Sequence, residues 1–384
     1  MREGWEYKKL GEICLDFIVP QRDKPTSFDG DIPWCRIEDI EGKYLNGSLS
    51  GQMVSKELAD RMNMHICPKG TVICACSASI GNQAIATVDC YTNQTFIGIV
   101  PNSSVLYNEF LFFFFKARKK ELIQMGTGAT IKYISKKKFQ GMRISIPPLS
   151  EQERIVSELD LLQSIIEKKK SQLKEYDQLA QSIFFDMFGD PVTNEKGWEV
   201  KKLGEICNSE LGKTLNKTKD TGTLRPYLCA INIQWNKIVK ENLKQTRFED
   251  FELERYTVKK GDLLICEGGD IGRAAIWNED EEIQYQNALH RLRFGREMLP
   301  IFCLNVLKFL KDKGVLDNRY GKGVTIKHLV KSTLLSIPFI VPPFSLQQQF
   351  AAKIESIEKQ KELIKQSITE VQTLFDSRMD YYFN

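Results

Sequence analysis

The chain has 384 residues, of which 42% are hydrophobic and 27% charged, and its formal net charge is +4 at pH 7. That length accommodates two or three domains with cores of their own, and that balance reads as a soluble globular protein. So small a net charge excludes a global basic signature of nucleic-acid binding, although an acidic helix can offset a basic face elsewhere in the sum.

The N-terminus, Met1-Arg2-Glu3-Gly4-Trp5, carries no signal-peptide pattern. The next residues, Gly4-Trp5-Glu6-Tyr7-Lys8-Lys9-Leu10-Gly11-Glu12-Ile13-Cys14, return as Gly197-Trp198-Glu199-Val200-Lys201-Lys202-Leu203-Gly204-Glu205-Ile206-Cys207, ten of eleven identical at an offset of 193. A repeat of that length means two domains of one design. Each opening leads into a strand-like, turn-rich region. Val72-Ile73-Cys74-Ala75 and Ala84-Ile85-Ala86 flank Cys76 to Gly81 in the first copy. Leu263-Leu264-Ile265-Cys266 and Ala274-Ala275-Ile276-Trp277 flank Glu267-Gly268-Gly269-Asp270-Ile271-Gly272 in the second. Short apolar runs punctuated by glycine predict a mostly antiparallel, twisted sheet with projecting loops. Helical patches follow at Tyr107 to Met125 and Ile301 to Leu316, closed by Gly126-Thr127-Gly128 and Gly321-Lys322-Gly323. The longest apolar stretch, Phe110 to Phe115 with Val105 to Tyr107 before it, is too short to span a bilayer.

After Ile146-Pro147-Pro148-Leu149-Ser150 the apolar positions Ile155, Leu159, Leu162, Ile166, Leu173, Tyr176, Ala180 and Ile183 recur in steps of three and four, with Lys169 on the same seam. After Val341-Pro342-Pro343-Phe344-Ser345 the same pattern runs through Phe350, Ile354, Ile357, Lys361, Ile364, Ile368, Val371, Phe375 and Arg378. These predict two long helices wound on each other as an antiparallel coiled coil, with Ser150 and Ser345 as N-caps. Each helix, about 35 to 40 residues long, would reach roughly 50 to 60 Å, so that the domains sit at opposite ends of a rod. The expected fold is therefore α/β (α+β), with two pseudo-symmetric globular domains at 1–148 and 191–343, each followed by a spacer helix, at 149–190 and 344–384.

Motifs for chemistry are weak. Gly212-Lys213-Thr214 is like the tail of a phosphate-binding loop, but Cys207 stands where the first glycine belongs. Val341-Pro342-Pro343-Phe344 is like an amino-methyltransferase motif, but Val341 cannot accept a hydrogen bond from a target amine, and the prolines read as helix-entry punctuation. Asp262 and Glu267 lack the lysine that a nuclease pair needs, and His65, His290 and His328 share no motif. The ten cysteines include no CxxC pair, so reduced core thiols in the cytoplasm are expected, with no metal site.

The remaining candidates are polar loop residues that differ between the copies. Arg22 and Lys24 follow the first opening; Lys213, Lys217 and Lys219 follow the second. Ser77, Ser79, Asn82 and Gln83 align with Gly268, Asp270, Arg273 and Ala274. Such side chains meet phosphates or read base edges. Lys132 and Lys327 stand at matching positions in both copies, suiting either a phosphate contact or a cap on the preceding glycine turn.

Over its whole length the chain resembles the specificity (S) subunit of type I restriction-modification systems. The resemblance rests on the Trp-x-x-x-x-Leu-Gly-Glu openings at Trp5 and Trp198, the Lys-Gly strands at Lys69 and Lys260, and the Ile-Gly turns at Gly81 and Gly272. It continues in the Pro-Pro-x-Ser-x-Gln helix entries at Pro147 to Glu153 and Pro342 to Gln348, and in the helix end Phe184-Phe185-Asp186-Met187-Phe188-Gly189. It implies two target recognition domains that read a split sequence in double-stranded DNA, half-sites about one turn or some 34 Å apart fitting the rod. It also implies a non-catalytic subunit that docks two methyltransferase subunits and restriction/translocase subunits, with S-adenosylmethionine, ATP and magnesium belonging to those partners and no membrane involved. One departure is Leu346-Gln347-Gln348-Gln349 where the first helix has Glu151-Gln152-Glu153-Arg154, so the docking surfaces need not be equivalent. Readings of another class are a free-standing DNA methyltransferase or nuclease built from dispersed residues, and a protein-binding scaffold.

Overall fold

The computed structural model describes residues 4–128, 130–216, 221–323 and 327–384. The chain forms two compact units, Met1–Ser171 with Lys365–Asn384, and Gln172–Ile364. Both boundaries fall inside long helices, Leu149–Phe188 and Phe344–Phe383, each of 40 residues. Packing thus divides the chain within its helices, whereas the sequence expectation divided it at their ends.

In the first unit a five-stranded sheet has the spatial order Cys14–Ile18, Phe96–Pro101, Val72–Ala75, Gln83–Ala86, Tyr44–Leu45. Its pairings are antiparallel except the last, where Tyr44 runs parallel to Ile85. A smaller sheet joins Met53–Val54, Ile32–Cys35 and Tyr91–Thr92. The second unit repeats the main sheet as Cys207–Leu211, Leu289–Phe294, Leu263–Cys266, Ala274–Ile276. All four residues of each central strand, Val72–Ala75 and Leu263–Cys266, are buried, which is why both read as unbroken apolar runs.

The repeated opening builds a frame. Glu6–Lys9 pairs with Arg143–Ile146 and Glu199–Lys202 with Pro338–Val341. Each strand turns into a four-residue helix whose glutamate, Glu12 or Glu205, accepts from the N–H of Lys9 or Lys202 at 3.0 and 2.9 Å. The helical patches are broken rather than continuous: Asn108–Ala117 then Lys119–Met125 in the first unit, and Pro300–Asp312 then a π turn at Leu316–Tyr320 in the second. Phe110 to Phe115 are all buried, because Asn108–Ala117 packs into one core with Val72, Ile97 and Ile99 of the sheet and with Ile155, Phe375 and Phe383 of the long helices. A helix apolar all round needs cover all round.

The long helices pair antiparallel. In the first unit Glu158 accepts from the Tyr382 hydroxyl at 2.7 Å and lies 2.8 Å from Arg378 Nε. In the second, Phe188 packs 5.3 Å from Phe350 and Lys361 donates to Asp177 at 2.8 Å. Two sequence expectations need correction. Ser150 and Ser345 lie inside the helices, whose first turns are closed instead by the carbonyls of Pro148 and Pro343. Arg378 is exposed and Met379 takes the buried position, since the row of contacts ends one residue off its sequence spacing.

The glutamine of each helix entry has a structural task. Gln152 is fully buried: its amide donates to the carbonyls of Val105 and Pro147 at 2.8 and 2.9 Å and accepts from the Tyr107 N–H at 2.8 Å. Gln347 does the same to Glu297 and Pro342 at 2.8 and 2.9 Å, and to Leu299 at 2.9 Å.

Candidate nucleic-acid interface

Both units carry one backbone device beyond the central strand. In the first, Thr127 and Tyr133 exchange backbone hydrogen bonds of 3.1 and 2.9 Å, closing a glycine hairpin, and Ile134 N–H donates to the Cys76 carbonyl at 2.8 Å. In the second, Lys322 and His328 exchange bonds of 2.9 and 2.7 Å, and Leu329 N–H donates to Glu267 at 2.7 Å. Bridges Ser77–Tyr133 and Gly268–His328 tie each hairpin to the loop after the central strand. The left-handed backbone of Ala78, φ 55°, recurs at Gly269, φ 75°. The Ile-Gly turns are glycine for a steric reason: a Cβ on Gly81 would come 2.6 Å from Lys119 Cγ, and one on Gly272 2.5 Å from Leu316 Cδ1.

Onto this shared frame the first unit places a polar, cationic edge. Arg22, Asn82 and Lys132 are exposed, and Ser77 and Ser79 half-buried. Arg22 lies close enough to Tyr133 for its charge to act on the phenol, whose pKa burial raises and Arg22 opposes. Lys119 donates to Asn82 Oδ1 at 3.4 Å. Lys24 is exposed and stands 5.4 Å over the Phe28 ring. Gln83 departs from expectation: it is 8% exposed within its strand, with its amide facing the Gly81 carbonyl and the Lys116 N–H.

The second unit's edge is charge-balanced. Arg273 donates to the Ala230 carbonyl at 2.8 Å, and Lys327 to the Asp317 carbonyl at 2.6 Å, so Lys327 caps the preceding turn. Lys311 bridges Asp270 at 2.7 Å and Asp317 at 3.0 Å. Burial raises the Glu267 carboxyl above its usual pKa, with His328 opposing. Lys213 also departs from expectation: 6% exposed, it donates to Glu252 at 2.6 Å and to the Arg247 carbonyl at 2.9 Å, serving the fold from within. Lys217 and Lys219 lie outside the described residues.

The sequence reading missed Lys119, Tyr133, His328 and Glu267 as edge residues. The signal was available for Tyr133 and His328, which follow the matched Thr-Ile-Lys segments at the same offset of 195. Among the described residues no cluster of three or more His, Cys, Asp or Glu is suited to hold a metal. All ten cysteines are free thiols, and burial pushes Cys14 and Cys207 up to about 12.

A duplicated frame with dissimilar loop edges is what a two-part reader of sequence requires. The chain belongs to the type I restriction modification DNA specificity domain family, whose profile matches it twice, over residues 2–175 and 195–373. It is 24% identical to the type I restriction enzyme MjaIX specificity subunit of Methanocaldococcus jannaschii, spanning 92% of this chain and 87% of that protein. It is 22% identical to the type I restriction enzyme EcoKI specificity subunit of Escherichia coli K12, spanning 95% of this chain and 84% of that one. The fold is that of a chain from a study of complex assembly and conformational transition of the type I R-M system, with a TM-score of 0.65 at 20% identity over 100% of this chain and 98% of that one. No helix among the described residues is long and apolar enough to cross a membrane.

Proposed function

We propose that this chain is the non-catalytic specificity subunit of a cytoplasmic type I restriction-modification assembly, reading a split double-stranded DNA target with residues 1–148 and 191–343. The observation that carries this reading is the loop-and-hairpin edge built twice on one backbone frame with different side chains. In the first unit Arg22, Lys24, Lys119 and Lys132 supply phosphate contacts, while Ser77, Ser79 and Asn82 read base edges. In the second, Arg273 and Lys327 lie at the matching edge, with Lys217 proposed from sequence alone. Gln83 and Lys213, being buried, belong to the frame. The assembly's two methyltransferase subunits and restriction/translocase subunits bring the S-adenosylmethionine, ATP and magnesium.

Methylation-site mapping in cells carrying this chain with its methyltransferase partner tests the proposal, and a split motif is the expected result. A single continuous motif sinks it. DNA affinity of the assembled complex is expected to fall steeply as salt rises, as phosphate-led binding does; a salt-independent affinity counts against the DNA-reading role.

A further inference from the structure

We infer that Glu267 is a specificity-determining residue of the second unit, its carboxylate accepting a hydrogen bond from the exocyclic amino group of a cytosine; this rests on the DNA-reading role proposed above. Its backbone is clamped on both sides: the N–H donates to the Ala288 carbonyl at 2.9 Å, and the carbonyl accepts from Leu329 at 2.7 Å. A Cβ on Gly268 would lie 3.1 Å from the His328 ring, so the imidazole closes over that glycine. The Glu267 side chain emerges beside it, half-buried and near enough for His328 to act on its ionisation. Among the described residues no donor is hydrogen-bonded to this carboxylate. The lysines and arginine of this edge are engaged elsewhere, Lys311 with Asp270 and Asp317, Lys327 and Arg273 with backbone carbonyls.

The first unit holds Cys76 at the same place, fully buried, with its thiol 3.3 Å from the Thr95 carbonyl, so the frame does not demand a carboxylate here. A carboxylate facing DNA is repelled by phosphates, and a hydrogen-bond donor on a base edge offsets that repulsion. In the major groove cytosine offers its amino group, guanine two acceptors, thymine an acceptor and a methyl group, and adenine an amino group flanked by the N7 acceptor. A carboxylate therefore selects cytosine, whereas an amide in its place matches adenine.

The test is methylation mapping with the full chain and its methyltransferase partner, the second unit's half-site being the one that survives exchange of residues 15–145. Glu267→Gln is expected to lower methylation at sites with a C·G pair at one position of that half by about tenfold or more, and to admit A·T there, leaving the other half unchanged. An unchanged motif overturns the inference. So does a wild-type half-site with no C·G pair, a result that needs no variant and stands even where Glu267→Gln fails to fold. A continuous wild-type motif overturns the two-unit reading itself, which separates that failure from an error about Glu267.

Discussion

Two side chains buried in the frame show how much single residues carry. Gln152 and Gln347, themselves fully buried, each satisfy two carbonyls and one N–H. Replacing either by alanine leaves those groups unpaired, and we expect a loss of about 2–4 kcal/mol in denaturant unfolding. Gln348→Ala, at an exposed position, should change stability by less than about 0.5 kcal/mol; equal losses at Gln347 and Gln348 would contradict the account. His290 is 0% exposed, its Nε2 lies 2.8 Å from the Leu329 carbonyl, and its Nδ1 has no hydrogen-bond partner among the described residues. Burial lowers its pKa from 6.5 to about 4. Between those values the unfolded chain binds the proton that the folded chain refuses, so stability is intact above pH 6.5 and declines as pH falls toward 4, by about 3 kcal/mol in all. In His290→Leu the slope of stability against pH over that window should flatten, whatever the absolute stability. A slope identical to wild type removes His290 as its cause.

At the scale of elements, the long helices each serve two cores. The end of Phe344–Phe383 belongs to the first unit, where Phe383 lies 5.0 Å from Phe110 and Arg118 donates to its carbonyl at 2.7 Å. The end of Leu149–Phe188 belongs to the second, where Phe188 lies 4.7 Å from Phe302. Truncating a buried phenylalanine costs about 3–5 kcal/mol. Phe383→Ala, though near the C-terminus, is therefore expected to speed amide hydrogen exchange in Asn108–Ala117 and spare Pro300–Asp312, and Phe188→Ala to do the reverse. Faster exchange in Pro300–Asp312 on Phe383→Ala would sink this assignment. The helices were plain from their spacing because an apolar row every three or four residues is a local property of the chain. The N-caps and the last buried position, Met379 rather than Arg378, were not, since both depend on what the helix meets.

For the whole molecule, duplication separates frame from choice. The repeated Leu-Gly-Glu turns and helix-entry glutamines bind each unit together, while the loops after the central strands differ. Exchanging residues 15–145 for the same region of a relative should thus alter one half of the methylated motif and leave the other, and alteration of both halves would refute independent reading. The sequence by itself determined the duplication, the strand-rich and helical order of each copy, the paired long helices and the family, because repeats, periodicity and motif order are written in neighbouring residues. It also pointed to Arg22, Ser77, Ser79, Asn82 and Lys132 as loop positions, and these are at or near the surface. Only the tertiary structure decided that Gln83 and Lys213 are buried, that Tyr133 and His328 lock the glycine hairpins to the central-strand loops, and that the chain's last helical turns complete its first core. The physical reason is one: burial and hydrogen-bond partnership are set by neighbours dozens to hundreds of residues away, and no local pattern encodes which of them will arrive.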